Sequence, residues 1–435
     1  MDMSLIGFIL IVAMLLMLVS GIWIALTLTG LAIIALLLIE NSSIGLLLGT
    51  SSWSASTAWS LTALPLFIWM GEILFRTRLS EDLFQGLSPI LAKLPGKLLH
   101  VNILSCGIFA AVSGSSAATA ATIGRMTLPE LKRRGYDESM AIGTLAGSGT
   151  LGLLIPPSII LIVYGVAAEV SITRLFLAGA LPGLMLVGLF MSYTIVWSLL
   201  NKRSQVDEDS EVYTFADKII ALKKLLPIVL LIGGVLGSIY QGVATPTEAA
   251  ALGVTGSLLL SVLTGSFTLA GFTQSVLGAV KSSCMLGLIL VGAHFLTLAM
   301  GFVGLPNELA EWIAMQGLSS IELIIYLTFF FIILGCFLDG ISVVVLTTSI
   351  VLPMVAQSGI DLIWFGIFLV LTVEMSQITP PVGFNLFVIQ SLTGKNILYV
   401  AKAALPFFLM IAVAIVIITM FPDVALYLPS LMTRN

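Results

Sequence analysis

Apolar residues occupy this chain in runs too long and too continuous for the core of a soluble domain. Leu5–Leu18 is almost wholly apolar, Ile22–Ile39 follows after three residues, and similar stretches continue nearly to the C-terminus. One hydrophilic segment, Asn201 to Lys224, divides them. A helix needs about 20 apolar residues to cross a bilayer, and backbone facing lipid must satisfy its own hydrogen bonds. The period-two alternation of a membrane β-barrel is absent. The pattern therefore predicts an all-α, polytopic membrane protein. Leu5–Leu18 has the length of a signal peptide, but no Lys or Arg precedes it and a second apolar run follows at once. Both runs read as mature membrane helices.

Composition narrows the function. Of 435 residues, 59% are hydrophobic and 9% charged, with a mean hydropathy of +1.15; soluble domains carry about 25% charged residues. A soluble enzyme is excluded, and with so few charges the net value of −4 says little. Cys106, Cys284 and Cys336 have neither disulfide nor metal-ligand spacing, and His100 and His294 are too few for a histidine metal site. No basic amphipathic tract suggests nucleic acid.

Prolines reveal an internal duplication. Leu128-Pro129 and Leu352-Pro353 are offset by 353 − 129 = 224 residues. The same offset carries Gly135 onto Gly359, Asp137 onto Asp361, Pro156-Pro157 onto Pro380-Pro381, and Leu181-Pro182 onto Leu405-Pro406, without a gap. Several coincidences at one offset mark a repeat. The loop after the first Leu-Pro contains Lys132, Arg133 and Arg134, whereas its counterpart Met354–Gly359 has no basic residue. Basic loops stay cytoplasmic, so the two copies are expected to be inverted, as in many secondary transporters.

Leu98–Gly124, 27 residues long, would make a helix of about 40 Å, longer than a ~30 Å hydrocarbon core. Lys93 and Lys97 precede it and Lys132–Arg134 follow, so both flanks are cytoplasmic. This is the pattern of a re-entrant hairpin with its tip at Ser113-Gly114-Ser115-Ser116. The counterpart tip, near Leu338-Asp339-Gly340, is expected to enter from the other side. Arg76 and Arg78, the 201–224 loop and Lys395 place the remaining segments by parity, with both termini periplasmic. Ser80–Leu94 and Asn307–Gln316 are short and amphipathic, and are expected to lie flat at opposite interfaces.

Two further irregular places interrupt apolar helices. One is Gly147-Ser148-Gly149-Thr150 followed by Pro156-Pro157. The other is Thr372-Val373-Glu374 followed by Thr379-Pro380-Pro381 and Asn385. Broken membrane helices expose carbonyls that coordinate Na⁺ and N-termini that attract carboxylates. The competing reading is close helix packing at small residues. Arg125 suits a substrate carboxylate, or it snorkels to the interface. Glu374 and Asp339 read as ion or proton ligands, as partners of Arg125, or as hydrogen-bonded structural carboxylates. Asp137 and Asp361 read as N-caps, and Thr245-Pro246-Thr247-Glu248 has the form of a capping box, which gives Glu248 a structural role. His294 and Tyr240 read as packing residues.

Several segments together resemble the large membrane subunit of tripartite ATP-independent periplasmic (TRAP) transporters. They are Ser113-Gly114-Ser115-Ser116-Ala117-Ala118-Thr119, Leu128-Pro129-Glu130-Leu131, Gly152–Ser158, Ala244–Ala250 and Ile378–Gly383. The resemblance covers essentially the whole chain. It implies an inverted-repeat, elevator-type fold with two re-entrant hairpins and two broken helices, in which a transport domain slides against a scaffold. The implied division is scaffold over 1–79, a cytoplasmic arm over 80–97, transport-domain repeat 1 over 98–200 and a cytoplasmic loop over 201–224. It continues with scaffold over 225–304, a periplasmic arm over 305–317, transport-domain repeat 2 over 318–421 and a tail over 422–435.

The resemblance also implies Na⁺ as coupling ion, no organic cofactor, and a place in the bacterial inner membrane. Its partners would be a small (Q-type) membrane subunit of about four helices as a separate chain, and a periplasmic substrate-binding protein (P-type) that delivers an organic anion, with sialic acid as the leading candidate. By position, one sodium would lie between Ser113, Gly114 and Ser116 of the first tip and Gly147, Gly149 and Thr150. A second would lie between Leu338 and Gly340 of the other tip and Thr372, Glu374 and Thr379. Arg125 would hold the substrate carboxylate between them, with Ser115, Ser116 and Asn385 alongside.

The chief rival is a stand-alone sodium/dicarboxylate-type symporter that needs no binding protein. A membrane enzyme is disfavoured: there is no HExxH, no Gly-x-Ser-x-Gly, and no histidine near Ser113-Gly114-Ser115. A scaffold subunit with no substrate path has no reason to keep two broken helices.

Overall fold

The computed structural model describes residues 3–201, 213–316 and 318–432. Residues 202–212 of the expected 201–224 loop, residue 317 of the second arm and the ends of both terminal segments therefore lie outside the described residues, and the loop's second half, from Phe215, is helical instead. Among the described residues every regular element is helical. The first half contains α1 (Met3–Val19), α2 (Ile24–Leu38), α3 (Ile44–Ser56), a 3-10 turn (Trp59–Thr62), α4 (Ala63–Phe75), α5 (Leu79–Leu91), α6 (Leu98–Ser113), α7 (Ser116–Arg133), α8 (Glu138–Thr150), α9 (Ile159–Ala167) and α10 (Ile172–Leu200). The second contains α11 (Phe215–Tyr240), α12 (Pro246–Leu263), α13 (Leu269–Val303), α14 (Leu305–Met315), α15 (Ser320–Gly335), α16 (Gly340–Gln357), α17 (Leu362–Gln377), α18 (Phe384–Thr393), α19 (Ile397–Met420) and the terminal α20 (Asp423–Met432).

The offset of 224 maps one half onto the other beyond the proline-marked span. Residues 116–133 of α7 become 340–357, the bounds of α16, and 138 at the start of α8 becomes 362 at the start of α17. Helix α1 overlies α11, α2 overlies α12, and α3 with α4 overlies α13. The last pair differs in form: α3 and α4 are bent by 52° at the 3-10 turn, whereas α13 runs unbroken for 35 residues. Among the described residues, six helices are long and apolar enough to cross a membrane, or seven if that bent pair is one span.

Local chemistry accounts for the hairpins. Helix α6 ends where Gly114 turns left-handed at φ +57°, and Ser115 caps α7 by accepting the Ala118 amide at 3.4 Å. The second hairpin turns at Asp339, which caps α16 through the amide and hydroxyl of Ser342. Helices α6 and α15 have 16 residues each, about 24 Å, too short to cross alone. Asp137 caps α8 through the Met140 amide, and Asp361 caps α17 through Ile363 and Trp364. Thr245 and Glu248 form the capping box of α12.

The core is built around the two interrupted helices. Every residue of α8 from Met140 and of α17 from Ile363 is buried. A polar network fastens α8 to the first hairpin: Asn102 Nδ2 donates to Thr144 Oγ1 at 3.0 Å, and Thr127 Oγ1 donates to Asn102 Oδ1 at 2.9 Å. Helix α5 turns Leu79, Leu83, Leu87 and Leu91 inward at four-residue spacing and packs on α6 and α11.

The interruptions fall later than the glycines suggested. Gly147–Thr150 remains helical and the irregular stretch is 151–158; Thr372–Glu374 likewise remains helical and the break is 378–383. Proline lacks the amide needed to continue a helix, whereas the glycines permit close packing. A Cβ at Gly147 would stand 2.5 Å from Phe407 Cβ, and one at Gly149 would stand 2.9 Å from Ala120 Cβ. Both Pro156-Pro157 and Pro380-Pro381 bonds are cis.

Candidate functional site

Each tip packs on the break of its own repeat. At the first, Gly114 lies so close to Pro157 and Ile159 that a Cβ would stand 3.2 Å from the Ile159 amide nitrogen. Ser113 Oγ lies 2.7 Å from Thr119 Oγ1, which donates to the Ser115 carbonyl at 2.8 Å. At the second, the Gly383 amide donates to the Cys336 carbonyl at 3.3 Å and Gln377 Nε2 to the Leu338 carbonyl at 3.4 Å. The repeats meet where Gly340 lies against Val373 and Leu153.

Both tips open onto one cleft of about 350 Å³. Ser113–Ser116, Asp339, Gly340 and Gln377 form one wall. Ile68, Gly71, Glu72 and Phe75 of α4, with Ser282, Met285 and Leu286 of α13, form the other. A larger cavity of about 890 Å³ between α1, α14 and α16 is almost wholly apolar and contains none of the sequence-predicted site residues. The smaller cleft is the candidate site because the irregular backbone converges on it.

Six predicted residues line this cleft: Ser113, Gly114, Ser115, Ser116, Asp339 and Gly340. The others do not. Gly147, Gly149, Thr150 and Thr372 lie within buried helices, where the Thr150 and Thr372 hydroxyls donate to carbonyls of their own helix. Thr379 Oγ1 donates to the Met375 carbonyl at 2.7 Å. Leu338 offers its carbonyl to Gln377. Arg125 is exposed on α7 and does not line the cleft.

Glu374 on α17 and Asn385 on α18 do not line the cleft. Both side chains are fully buried, and their polar atoms lack hydrogen-bond partners. The Glu374 carboxylate faces the Leu154 amide at the break of the opposite repeat, but no donor reaches hydrogen-bonding geometry. Buried polar groups without partners are rare and costly.

Sequence reading passed over Glu72, Gln377 and Ser282. Glu72 had a signal, as the one charged residue in Ala63–Phe75. It pairs with Arg76 one turn on. Gln377 and Ser282 carried no such mark.

This arrangement of paired hairpins on paired broken helices has counterparts of known family. The sequence profile of the tripartite ATP-independent periplasmic transporter, DctM component, matches residues 9–424. The chain belongs to that family. It is 32% identical over 379 residues to the C4-dicarboxylate TRAP transporter large permease protein DctM of Pseudomonas aeruginosa, covering 87% of this chain and 88% of the relative. It is also 32% identical over 417 residues to the isethionate TRAP transporter permease protein DctMQ of Oleidesulfovibrio alaskensis, covering 95% of this chain and 64% of that one. The sialic acid TRAP transporter large permease protein SiaM of Vibrio cholerae is 28% identical over 379 residues, with 86% of each covered. Among solved structures, the YdaH transporter of Alcanivorax borkumensis shares the fold, with a TM-score of 0.64 at 13% identity over 97% of this chain and 98% of that one. The DctM-family chain is thus a multi-pass membrane protein of a transporter class.

Proposed function

We propose that this chain is the large permease of a TRAP transporter in the bacterial inner membrane, with both termini periplasmic, and drives uptake of an organic anion with sodium. The observation that carries the reading is the cleft where both hairpin tips meet α4 and α13. A substrate carboxylate there meets the N-terminus of α7, capped by the neutral Ser115, whose dipole favours negative charge. Sodium is taken up by oxygen ligands at the tips and breaks. Glu374 and Asn385, buried with unpaired oxygens, support a cation site in the second repeat. Arg125 contributes as a carboxylate partner once the hairpins move. A periplasmic binding protein delivers the substrate and a small membrane subunit braces the scaffold. Sialic acid and C4-dicarboxylates head the substrates to test, matching two of the relatives' names.

The test is uptake into proteoliposomes containing the permease and its small partner, with and without binding protein, under an inward Na⁺ gradient. Uptake that needs both supports the proposal. Robust uptake by the permease alone favours a stand-alone symporter, and uptake indifferent to Na⁺ overturns the coupling.

A further inference from the structure

The larger cavity, of about 890 Å³, has the size of pockets that hold whole small molecules, about 300–1,000 Å³. It forms a seam. Helix α1, with Phe8 and Ile11, and the arm α14 stand on one side; Phe330 of α15 and Ile350 of α16 stand on the other. Apart from two glutamates, the only polar side chain among the described residues that line it is Thr347, whose hydroxyl donates to the Val343 carbonyl at 2.8 Å. Water does not settle where it finds no polar partners, and an apolar void of this size forfeits packing on every wall. In a membrane the material at hand to fill it is hydrocarbon. The depth suits one leaflet. Leu334, on the far wall, lies 334 − 320 = 14 residues along α15 from Ser320, about 21 Å, which exceeds the ~15 Å of hydrocarbon in half a bilayer.

The two glutamates give the cavity a charged edge. Glu308 and Glu311 both line it from α14. Three residues apart, they share a face of the helix, where like charges weaken it. Both are exposed, and neither has an ion pair among the described residues. No Lys, Arg or His is among the described residues that line the cavity. An apolar interior with an acidic rim fits an amphiphile whose polar end carries a cation. We propose that this seam is a binding site for a phospholipid with an ethanolamine headgroup. An acyl chain lies between α1 and the α15–α16 hairpin, and the ammonium sits on Glu308 and Glu311. Anionic glycerol headgroups offer those carboxylates no cation and are repelled. The lipid thereby fills the joint between the second arm and the second hairpin. The site requires that the chain lie in a membrane and does not depend on the sodium coupling proposed above.

Native mass spectrometry of the full-length permease tests this by titration with palmitoyl-oleoyl phosphatidylethanolamine and with its phosphatidylglycerol analogue. The ethanolamine lipid should bind in preference to the glycerol lipid by roughly three- to tenfold, the effect of one or two exposed ion contacts. Glu308→Gln/Glu311→Gln should abolish that preference. Ile11→Trp, which grows into the cavity from an exposed position, should weaken the binding of both lipids. A second measurement needs no variant: the ethanolamine lipid with a diazirine on its acyl chain should cross-link mainly to α1, α15 and α16 of the wild type. Equal binding of the two lipids by the wild type, or a preference that survives the double glutamine variant, overturns the headgroup assignment. Cross-links spread equally over α11 and α12, whose outer faces are also apolar, overturn the site. Cross-links that vanish when the small membrane subunit is bound would show that the subunit, not a lipid, fills the seam.

Discussion

Gly152 lies against the backbone of Ser115: a Cβ at position 152 would stand 2.6 Å from both the carbonyl carbon and the carbonyl oxygen of Ser115. The first break therefore supports the first tip by direct backbone contact, and only glycine leaves room for it. Gly152→Ala pushes the tip from its seat, at a cost of about 1–3 kcal/mol, as overpacking does. Uptake should fall to a small fraction of wild type with the protein still inserted and soluble in detergent. Wild-type uptake in Gly152→Ala would mean that the tip has slack the structure does not show.

How much was legible in the sequence depended on the residue type that left the mark. Proline pairs and Leu-Pro steps revealed the repeat, because their effect on the backbone does not depend on neighbours, and the excess length and basic flanks of Leu98–Gly124 revealed the first hairpin. The relation of α1–α4 to α11–α13 left no such trace: a lipid-facing helix constrains only hydrophobicity, and one copy is bent where the other is straight. Gly147 and Gly149 misdirected the break because in a membrane glycine serves close packing as readily as irregular backbone. Whether they abut Phe407 or a free loop is set by the tertiary fold. Arg125 was conspicuous as a charge, but its absence from the cleft wall depends on the docking of two halves, which no local pattern encodes.

Asn102 is the single side chain that joins α6, α7 and α8, through Thr127 and Thr144. Asn102→Ala removes both bonds and a longer one to the Ala141 carbonyl, and leaves two buried hydroxyls with fewer partners. The expected loss is about 2 kcal/mol, seen as a lower melting temperature in detergent. Once Asn102 is gone the Thr127 hydroxyl keeps only the Ile123 carbonyl of its own helix, so Thr127→Val should cost less in the Asn102→Ala background than in the wild type; strictly additive losses would argue against a shared network.

The C-terminal end of α7 carries a pH-dependent contact. Burial alone would raise the Glu130 carboxyl, but hydrogen bonds from Arg134 and Arg133 outweigh it and hold it below its usual 4.5. Ionisation is thus favoured by folding. This contribution is complete above pH 4.5 and fades as the pH falls through the lowered value, about 0.5 kcal/mol in all for so accessible a pair. Stability measured from pH 7 to pH 3 should show the wild type losing its advantage over Glu130→Gln on the acid side. A constant difference across that range would show that the arginines act through packing.

Glu374 offers the most direct test of sodium binding within the chain. A buried carboxylate with no donor costs several kcal/mol unless a cation or proton compensates it. If sodium is that cation, NaCl should stabilise the wild type relative to choline chloride at equal ionic strength, by about 1.4 kcal/mol at ten times the dissociation constant. Glu374→Gln keeps the shape and removes the charge. It should lose most of the sodium-dependent rise in melting temperature, yet melt no lower than wild type in choline, because the uncompensated charge has gone with the ligand. Loss of stability in both salts would make Glu374 a structural acid, and a full sodium response in Glu374→Gln would move the ion site to the tips alone.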